Sequence, residues 1–449
     1  MLRGLNMDRQ LLVSSLIEYA GRNHSSTDVI ATDSSGAVHR SNWSEIRLRA
    51  HRVSSALVQE GISEGDRVAT IAWNDHRHLE VYYGVTGLGS VLHTINPRLR
   101  EQQIVWIMKH ANDQIVFVDP DFLPLAESIA SDVPSVRKWV VLSDELTDSS
   151  LPNAVTYEDW IDGHSVATEW PILDEWCAAT LCYTSGTTGL PKGAMITHGM
   201  VFYNAVNIGG PALITPESKH LSVLPLFHIA GLNIFSNPVF HAGGTVVVTQ
   251  TFDPAESLSL LSDPAHAFTH FFGVPANYLF ISQQPAFADV DLSHLKVCGV
   301  GGAPCALSIL EAFSPKGVDV QQGYGMTETS PAVLWLEGKA TVEKLGSAGL
   351  PVLHNEVKLI DDNGGEILDA EQIGELWVRG PNVTPGYWNQ PEATAQSITD
   401  GWLHTGDAAK RDSDGYYFIV DRWKDLSLIH ISEPTRPRLS SYAVFCLKK

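Results

Sequence analysis

The chain of 449 residues contains no apolar run that approaches the roughly 18 consecutive residues of a membrane-spanning helix, so at most it touches a bilayer peripherally to collect a lipid-like substrate. Positive charge is also short. The 30 Lys and Arg against 51 Asp and Glu leave a formal charge of −21, whereas a nucleic-acid footprint is normally a basic patch or stripe; nucleic acid is not expected as a partner. Cysteine is scarce. The five at 177, 182, 298, 305 and 446 form no C-x-x-C pair and no metal-like spacing, and they read as reduced, mostly buried thiols of a cytoplasmic protein. The N-terminus MLRGLNMDRQLLVSSLIEYA has no continuous apolar core, because Asp8, Arg9 and Gln10 interrupt it, so nothing in it suggests secretion. There is no internal repeat, no low-complexity tract and no metal-like spacing among the 18 histidines.

What is present is enough apolar material, 44% of residues, for a large core and two or three structural units. Residues 11 to 30 suggest a helix and then a strand. Ser41-Asn-Trp-Ser-Glu45 caps a helix whose Ile46, Ala50, Val53 and Leu57 recur at helical spacing and which Gly61 ends. Strands over 67–73, 91–95, 115–119 and 139–142 alternate with helices over 78–88 and 102–110. Residues 149–175 are polar and irregular and read as a connecting segment. Beyond them the pattern predicts a buried strand over 177–182, a helix over 197–208, strands over 221–226, 245–250 and 268–274, and a helix near 255–261. Such alternation points to parallel sheets sandwiched by helices.

Two glycine turns then follow strands at 295–300 and 318–321: Gly301-Gly-Ala-Pro304 and Gly323-Tyr-Gly-Met-Thr-Glu-Thr329. Ends of strands in open α/β sheets are where ligands bind, yet neither turn fits G-x-G-x-x-G, which leaves a dinucleotide-binding dehydrogenase poorly supported. From about Gly349 the texture changes to strands joined by tight turns, as in 357–366, 375–379 and 415–420, and predicts a small β-rich subdomain.

The most informative stretch is Tyr183-Thr-Ser-Gly-Thr-Thr-Gly-Leu-Pro-Lys-Gly193. Glycines let backbone N–H groups approach an anion, Ser and Thr hydroxyls add donors, and Lys192 adds a point charge, a combination suited to phosphate. The order is not that of a Walker A loop. A generic Gly/Ser/Thr segment would read equally well as a surface turn; the eleven-residue string is far more specific.

That string resembles the phosphate-binding signature of the AMP-forming acyl-adenylating enzymes, the superfamily of acyl-CoA synthetases, peptide-synthetase adenylation domains and beetle luciferases. Gly323-Tyr-Gly-Met-Thr-Glu328, Gly401-Trp-Leu-His-Thr-Gly-Asp407 and Asp421-Arg-Trp-Lys-Asp425 are similar to further core motifs of the family and follow in family order. The stretch His93-Thr-Ile-Asn-Pro-Arg-Leu99 and the Thr327-Glu-Thr-Ser-Pro331 ending look most like medium-chain fatty-acyl-CoA synthetases and their methylmercaptopropionate-using relatives.

The resemblance implies an α/β fold of two sandwiched βα sheets plus a small β-rich subdomain, the large N-terminal domain of the acyl-adenylating fold. Residues 1–348 would carry the nucleotide- and acyl-binding subdomains and 349–425 the β-rich one, ending at a hinge at Lys424. It implies ATP, Mg²⁺ and CoA acting on a small-molecule carboxylate, expected to be a fatty acid, and leaves a homodimer open. Thr184, Ser185, Thr187, Thr188 and Lys192, with Gly186 and Gly189, would grip the β- and γ-phosphates. Tyr324 and Gly325 would face adenine, Thr327 would reach the phosphates, and Glu328 would hold Mg²⁺. Asp407 and Arg422 would bind the ribose hydroxyls. His228, in Pro-Leu-Phe-His-Ile-Ala-Gly231, would gate the acyl and nucleotide sites, with the acyl pocket between it and Gly301, Gly302 and Ala303; a hydrogen-bonded core histidine is the alternative.

After Asp425 the resemblance stops. Residues 426–449 carry four Lys or Arg and one acidic residue, with no glycine after Gly415. They read as a frameshifted or appended sequence in place of the small C-terminal domain, and a chain so ended is expected to bind ATP but catalyse poorly. The expected activity is ATP-dependent conversion of a carboxylic acid to acyl-AMP and then acyl-CoA. The alternatives are an adenylation domain that loads a carrier protein and a non-catalytic nucleotide-binding protein.

Overall fold

The computed structural model describes residues 7–33, 37–145, 149–166, 169–184, 190–338 and 340–425. Three sheets organise them. The first has seven strands in the order Ala154–Thr156, Lys138–Val141, Ile115–Val118, Arg67–Ile71, Val91–Ile95, Ala178–Thr184, Lys192–Thr197. All neighbours are parallel except the last pair, an antiparallel hairpin. The second has nine, running from Leu350–Pro351 through Ala332–Trp335, Gln321–Gly325, Val297–Val300, His270–Gly273, Lys219–Ser222 and Thr245–Thr249 to Asp28–Thr32 and Val38–Asn42. The third is antiparallel and holds Glu356–Ile360, Ile373–Arg379, Trp402–Arg411, Ile398–Thr399 and Tyr417–Arg422. The fold is the two-sheet α/β arrangement with an antiparallel β subdomain that the motifs implied.

Parallel strands covered on both faces need uninterrupted apolar side chains. Ile-Val-Phe-Val at 115–118 and Val-Leu-His-Thr-Ile at 91–95 are buried at every position. One apolar cluster spans the space between the two large sheets. It joins Val68, Leu92 and Phe117 of the first to Val29, Val246 and Val248 of the second through the helices Val13–Asn23, Trp43–Gln59 and His76–Leu88. Separate clusters cover the outer faces of both. Asn42 caps the second of these helices by accepting the Glu45 N–H at 3.0 Å, within the stretch the sequence marked as a cap. At the far end of the second sheet, Asp28–Thr32 lies parallel to Thr245–Thr249 with Val29 opposite Val246.

Four expectations need correction. Residues 149–175 are not merely connecting: Ala154–Thr156 extends the first sheet beside Lys138–Val141, and the helix Tyr157–Ile161 buries Tyr157, whose hydroxyl donates to Glu80 at 2.7 Å. The strand expected over 221–226 ends at Ser222. Beyond it Asn74 takes over the backbone bonding, donating to the Leu224 carbonyl at 2.9 Å and accepting from the Leu226 N–H at 2.7 Å. The stretch before the helix expected over 197–208, given no element, is the strand Lys192–Thr197, and the helix itself is His198–Gly209. The strand expected at 318–321 is Gln321–Gly325, so Gly323-Tyr-Gly325 is itself strand, paired with Ala332–Trp335.

Charged groups tie the layers where apolar contact stops. Glu18 accepts from His51 at 2.7 Å and Arg22 at 2.6 Å and forms an ion pair with Arg47, Nε to Oε2 3.0 Å, joining the first two helices. Burial alone would raise its pKa, but these three partners hold the carboxyl down at about 2. A folded-state pKa below the unfolded one stabilises the protein above the unfolded value, and that contribution disappears as pH falls through the folded value. Glu18→Gln is therefore expected to cost about 2 kcal/mol at pH 7 after allowance for partial solvent screening. Urea unfolding should show the difference between the two proteins shrinking from pH 4.5 downward and vanishing near pH 2.

Candidate active site

Lys192 stands at the neck of the hairpin, directly opposite Thr184. The Thr184 hydroxyl donates to the Lys192 carbonyl at 3.4 Å, so the two ends of the phosphate-loop string are held together. Lys192 thus begins a strand instead of ending a loop. Ser185, Gly186, Thr187, Thr188 and Gly189 lie outside the described residues. One position earlier, Tyr183 bonds His110 at 2.7 Å and packs beside the buried His93–Asp113 pair, which anchors the strand that delivers the loop.

Gln321–Gly325 of the second sheet feeds the short turn Thr327–Thr329. Gly325 is obligatory at this corner: a Cβ there would fall 1.6 Å from the Pro331 carbonyl oxygen. The turn buries Thr327 and Glu328. Burial raises the Glu328 pKa, against the lowering effect of the Tyr387 hydroxyl, a backbone N–H and the charges of Lys192 and Arg422. Tyr387 donates to Glu328 Oε1 at 2.8 Å, and the Lys192 ammonium sits 4.8 Å from the centre of the same ring. One tyrosine therefore brings together Lys192 and Glu328, which come from different sheets.

A second convergence lies on the third sheet. Asp407 and Arg422 are cross-strand partners, with Arg422 Nη1 2.9 Å from Asp407 Oδ1. The Tyr324 hydroxyl donates to Asp407 Oδ2 at 2.6 Å, so both carboxylate oxygens are engaged. Burial still raises the Asp407 pKa, with Arg422 and Tyr324 opposing it. Gly301 and Gly302 follow the adjacent strand Val297–Val300, and Gly301 packs so closely on the Gly323 carbonyl that a Cβ would approach it to 2.9 Å. Tyr324, Gly325, Thr327, Glu328, Asp407, Arg422 and the Gly301-Gly302-Ala303 turn thus belong to one region, and Lys192 joins it through Tyr387. Lys424 lies two residues beyond the strand Tyr417–Arg422.

His228 caps the helix Ile229–Asn233, its Nδ1 accepting from the Ala230 N–H at 3.3 Å. Burial pushes its pKa down to about 4, which keeps the imidazole neutral. It borders a cavity of about 50 Å³ shared with Thr327, Thr94, Cys182 and Tyr183, whose apolar wall is Leu99, Ile107, Phe227 and Ile229. The cavity faces the first sheet, while Gly301 is packed against Phe272 and Gly323.

Sequence reading missed Tyr387 and Thr384. Neither lies in a periodic stretch, and only the Gly-Tyr-Trp run at 386–388 hinted at a packed aromatic. Among the described residues no three His, Cys, Asp or Glu side chains cluster as a metal site, and no helix is long and apolar enough to cross a membrane.

Comparison with known proteins gives this geometry a family. A model of the AMP-binding enzyme family matches residues 18–388. The chain belongs to that family, within its AMP-forming acid–thiol ligases of the acyl-CoA ligase type. It is 35% identical over 440 residues to the 3-methylmercaptopropionyl-CoA ligase of Ruegeria lacuscaerulensis, covering 94% of this chain and 80% of that one. It is 36% identical over 442 residues to the medium-chain-fatty-acid–CoA ligase of Ectopseudomonas oleovorans, with the same coverage. The inhibitor-bound N-terminal domain of FACL13 from Mycobacterium tuberculosis superposes with a TM-score of 0.83 at 26% identity, over 92% of this chain and 99% of that one. ATP-bound MatB from Rhodopseudomonas palustris does so at 0.79 and 27% identity, over 92% and 79%. Family membership implies a carboxylate, ATP and CoA as substrates.

The corner at Gly325 provides a direct test of this construction. Gly325→Ala forces backbone movement between two paired strands, and a cost of about 3 kcal/mol in urea unfolding is expected. An unchanged midpoint would show that the Pro331 carbonyl has room to move.

Proposed function

We propose that the chain activates a medium-chain fatty acid or a thioether carboxylate such as 3-methylmercaptopropionate, joining it to the α-phosphate of ATP with loss of pyrophosphate and then passing the acyl group to the CoA thiolate, which displaces AMP. The observation that carries this reading is the convergence of Lys192 and Glu328 on Tyr387 beside the Tyr324–Asp407–Arg422 group. That arrangement suits a nucleoside triphosphate: fixed positive charge for phosphates at one end, an aromatic face and a carboxylate for adenosine at the other.

In the reaction, a carboxylate oxygen attacks the α-phosphorus while the bond to the β-phosphate oxygen breaks, and negative charge moves onto pyrophosphate. Lys192 meets that charge as a pre-placed cation, which is worth most where water is excluded. Tyr324 supports the base, and Asp407, oriented by Arg422, accepts from the ribose hydroxyls. His228, neutral and beside Thr327, offers a hydrogen bond to the carboxylate and orients it toward the phosphate. Leu99, Ile107, Phe227 and Ile229 favour an alkyl or thioether tail at about 0.8 kcal/mol per buried methylene.

Mg²⁺ fits the residues present. It commonly takes only one or two protein carboxylates and fills its other positions with phosphate and water. Glu328 is such a carboxylate, buried and with its charge disfavoured. When bound there, the ion would neutralise part of the triphosphate charge.

The test uses the purified chain with ATP and labelled pyrophosphate, offered acetate, octanoate, hexadecanoate or 3-methylmercaptopropionate, and then CoA. Exchange of label into ATP should require octanoate or 3-methylmercaptopropionate, and addition of CoA reads whether the acyl group goes on to the thioester. Lys192→Ala should lower the exchange about 100-fold, as removal of one charge-stabilising donor does. Nucleotide binding indifferent to every acid would instead mark a nucleotide-binding protein. Exchange without thioester on CoA, but with transfer to an added carrier protein, would mark a carrier-loading enzyme.

A further inference from the structure

Lys192 and Glu328 are carried by different sheets, which meet where the strand Lys192–Thr197 packs beside the Thr327–Thr329 turn. Residues 382–390, which make no regular strand, lie across both. On one side they follow the hairpin. Met195 N–H donates to the Gly386 carbonyl at 3.2 Å and Trp388 N–H to the Gly193 carbonyl at 2.8 Å, with an antiparallel bridge between Ala194 and Tyr387. On the other side they hold the turn. Asn382 Nδ2 donates to the Thr329 carbonyl at 2.7 Å and the Ala332 carbonyl at 2.9 Å, and Thr384 N–H donates to the Glu328 carbonyl at 2.7 Å.

Thr384 is where the two sides meet. Its amide holds the backbone of Glu328, while its buried hydroxyl donates to the Met195 carbonyl at 2.7 Å, three residues along the strand from Lys192. Tyr387 then links the side chains themselves, its hydroxyl on Glu328 and its ring against the Lys192 ammonium. The bend between them requires Gly386, whose φ is +144° and whose Cβ would fall 2.5 Å from the Thr394 methyl. Alternate strand residues face opposite ways, so a one-residue slip of the hairpin edge would turn Lys192 away from Glu328.

We infer that Thr384 and Tyr387 are positioning residues, and that the 382–390 strap fixes the distance between the phosphate-facing lysine and the metal-facing glutamate. The inference rests on reading this region as a MgATP site. Within that reading it assigns work to residues that touch no substrate: Thr384 sets the register for both partners, and Tyr387 aims the carboxylate with its hydroxyl and supports the ammonium with its ring. Displacements of about 1 Å in such a constellation are costly, which is why a rigid strap matters.

The experiment measures ATP binding to the full chain by calorimetry, with Mg²⁺ and with Mg²⁺ removed by chelator, alongside the thermal midpoint. Tyr387→Phe should weaken MgATP about tenfold and leave metal-free ATP within twofold, because the bond to Glu328 is lost while the ring beneath Lys192 stays. Tyr387→Leu should weaken both, since the ring beneath Lys192 goes too. Thr384→Val should weaken both about tenfold, and Thr384→Ser, which keeps the hydroxyl, should bind like the parent. If Thr384→Val does not fold, Thr384→Ser and the two Tyr387 variants still decide. The inference is overturned if Thr384→Val and Tyr387→Phe bind MgATP within twofold of the parent. It also fails if Tyr387→Phe weakens metal-free ATP as much as MgATP, as a purely structural role would. A parent chain that binds no ATP under either condition would instead overturn the MgATP reading itself, and the inference with it.

Discussion

A carboxylate taken out of water needs compensation, and Glu328 has little of it. Its side chain is buried and receives the Tyr387 hydroxyl, while the nearest cation, Lys192, is held against the Tyr387 ring. Burial consequently dominates and pushes its pKa up. An isolated buried anion is normally neutralised or paired; here the surroundings are arranged so that neither is complete. Much of the neighbouring structure serves to keep the group where it is. The Thr327–Thr329 turn withdraws it from solvent, Thr384 and Asn382 tie the turn's carbonyls, and Gly325 allows the close approach of Pro331 that closes the turn.

The region is assembled from three sheets, each supplying one chemical element. The seven-stranded sheet contributes Lys192 at the neck of its edge hairpin, the nine-stranded sheet leads into Tyr324 and Glu328, and the antiparallel sheet contributes the facing pair Asp407 and Arg422. Both buried carboxylates are held by tyrosine hydroxyls, Tyr324 on Asp407 and Tyr387 on Glu328. A tyrosine suits this task because its apolar body packs against the layers while its polar tip reaches a carboxylate on the other side. Asp407 and Glu328 both have raised pKa values because burial outweighs these hydroxyl bonds, which pull the other way.

Much of this was legible in the sequence, for identifiable reasons. Continuous β-branched runs such as 115–118 announce buried parallel strands, since few other structures bury every position of so short a segment. Tyr324, Glu328, Asp407 and Arg422 were singled out through the motifs that resemble the family's, and the fold brings them into one region. The hairpin strand Lys192–Thr197 escaped notice because Lys-Gly-Ala-Met-Ile-Thr has neither alternation nor β-branched density, and its pairing is imposed from outside by Ala178–Thr184. The three-residue strand Ala154–Thr156 was too short to carry a period. The strap was invisible for a deeper reason. Its Pro and Gly content looks like a loop, and its function lies in hydrogen bonds to residues nearly two hundred positions earlier, which local pattern cannot encode.

The pairing of Asp28–Thr32 with Thr245–Thr249 has a consequence for how the chain is made. Val29 leaves the ribosome about 200 residues before its partner Val246. At typical rates of synthesis the first hairpin therefore waits on the order of 10–40 s with its inner edge unpaired. Its neighbour Val38–Asn42 covers only one side, so the open edge of Asp-Val-Ile-Ala-Thr is a template for the wrong strand during that interval. The helices Val13–Asn23 and Trp43–Gln59 flank it and can cover its apolar face while it waits. The Glu18 contacts that join those two helices are then made by neighbours in sequence, long before the second sheet exists, and belong to the nascent chain as much as to the finished protein.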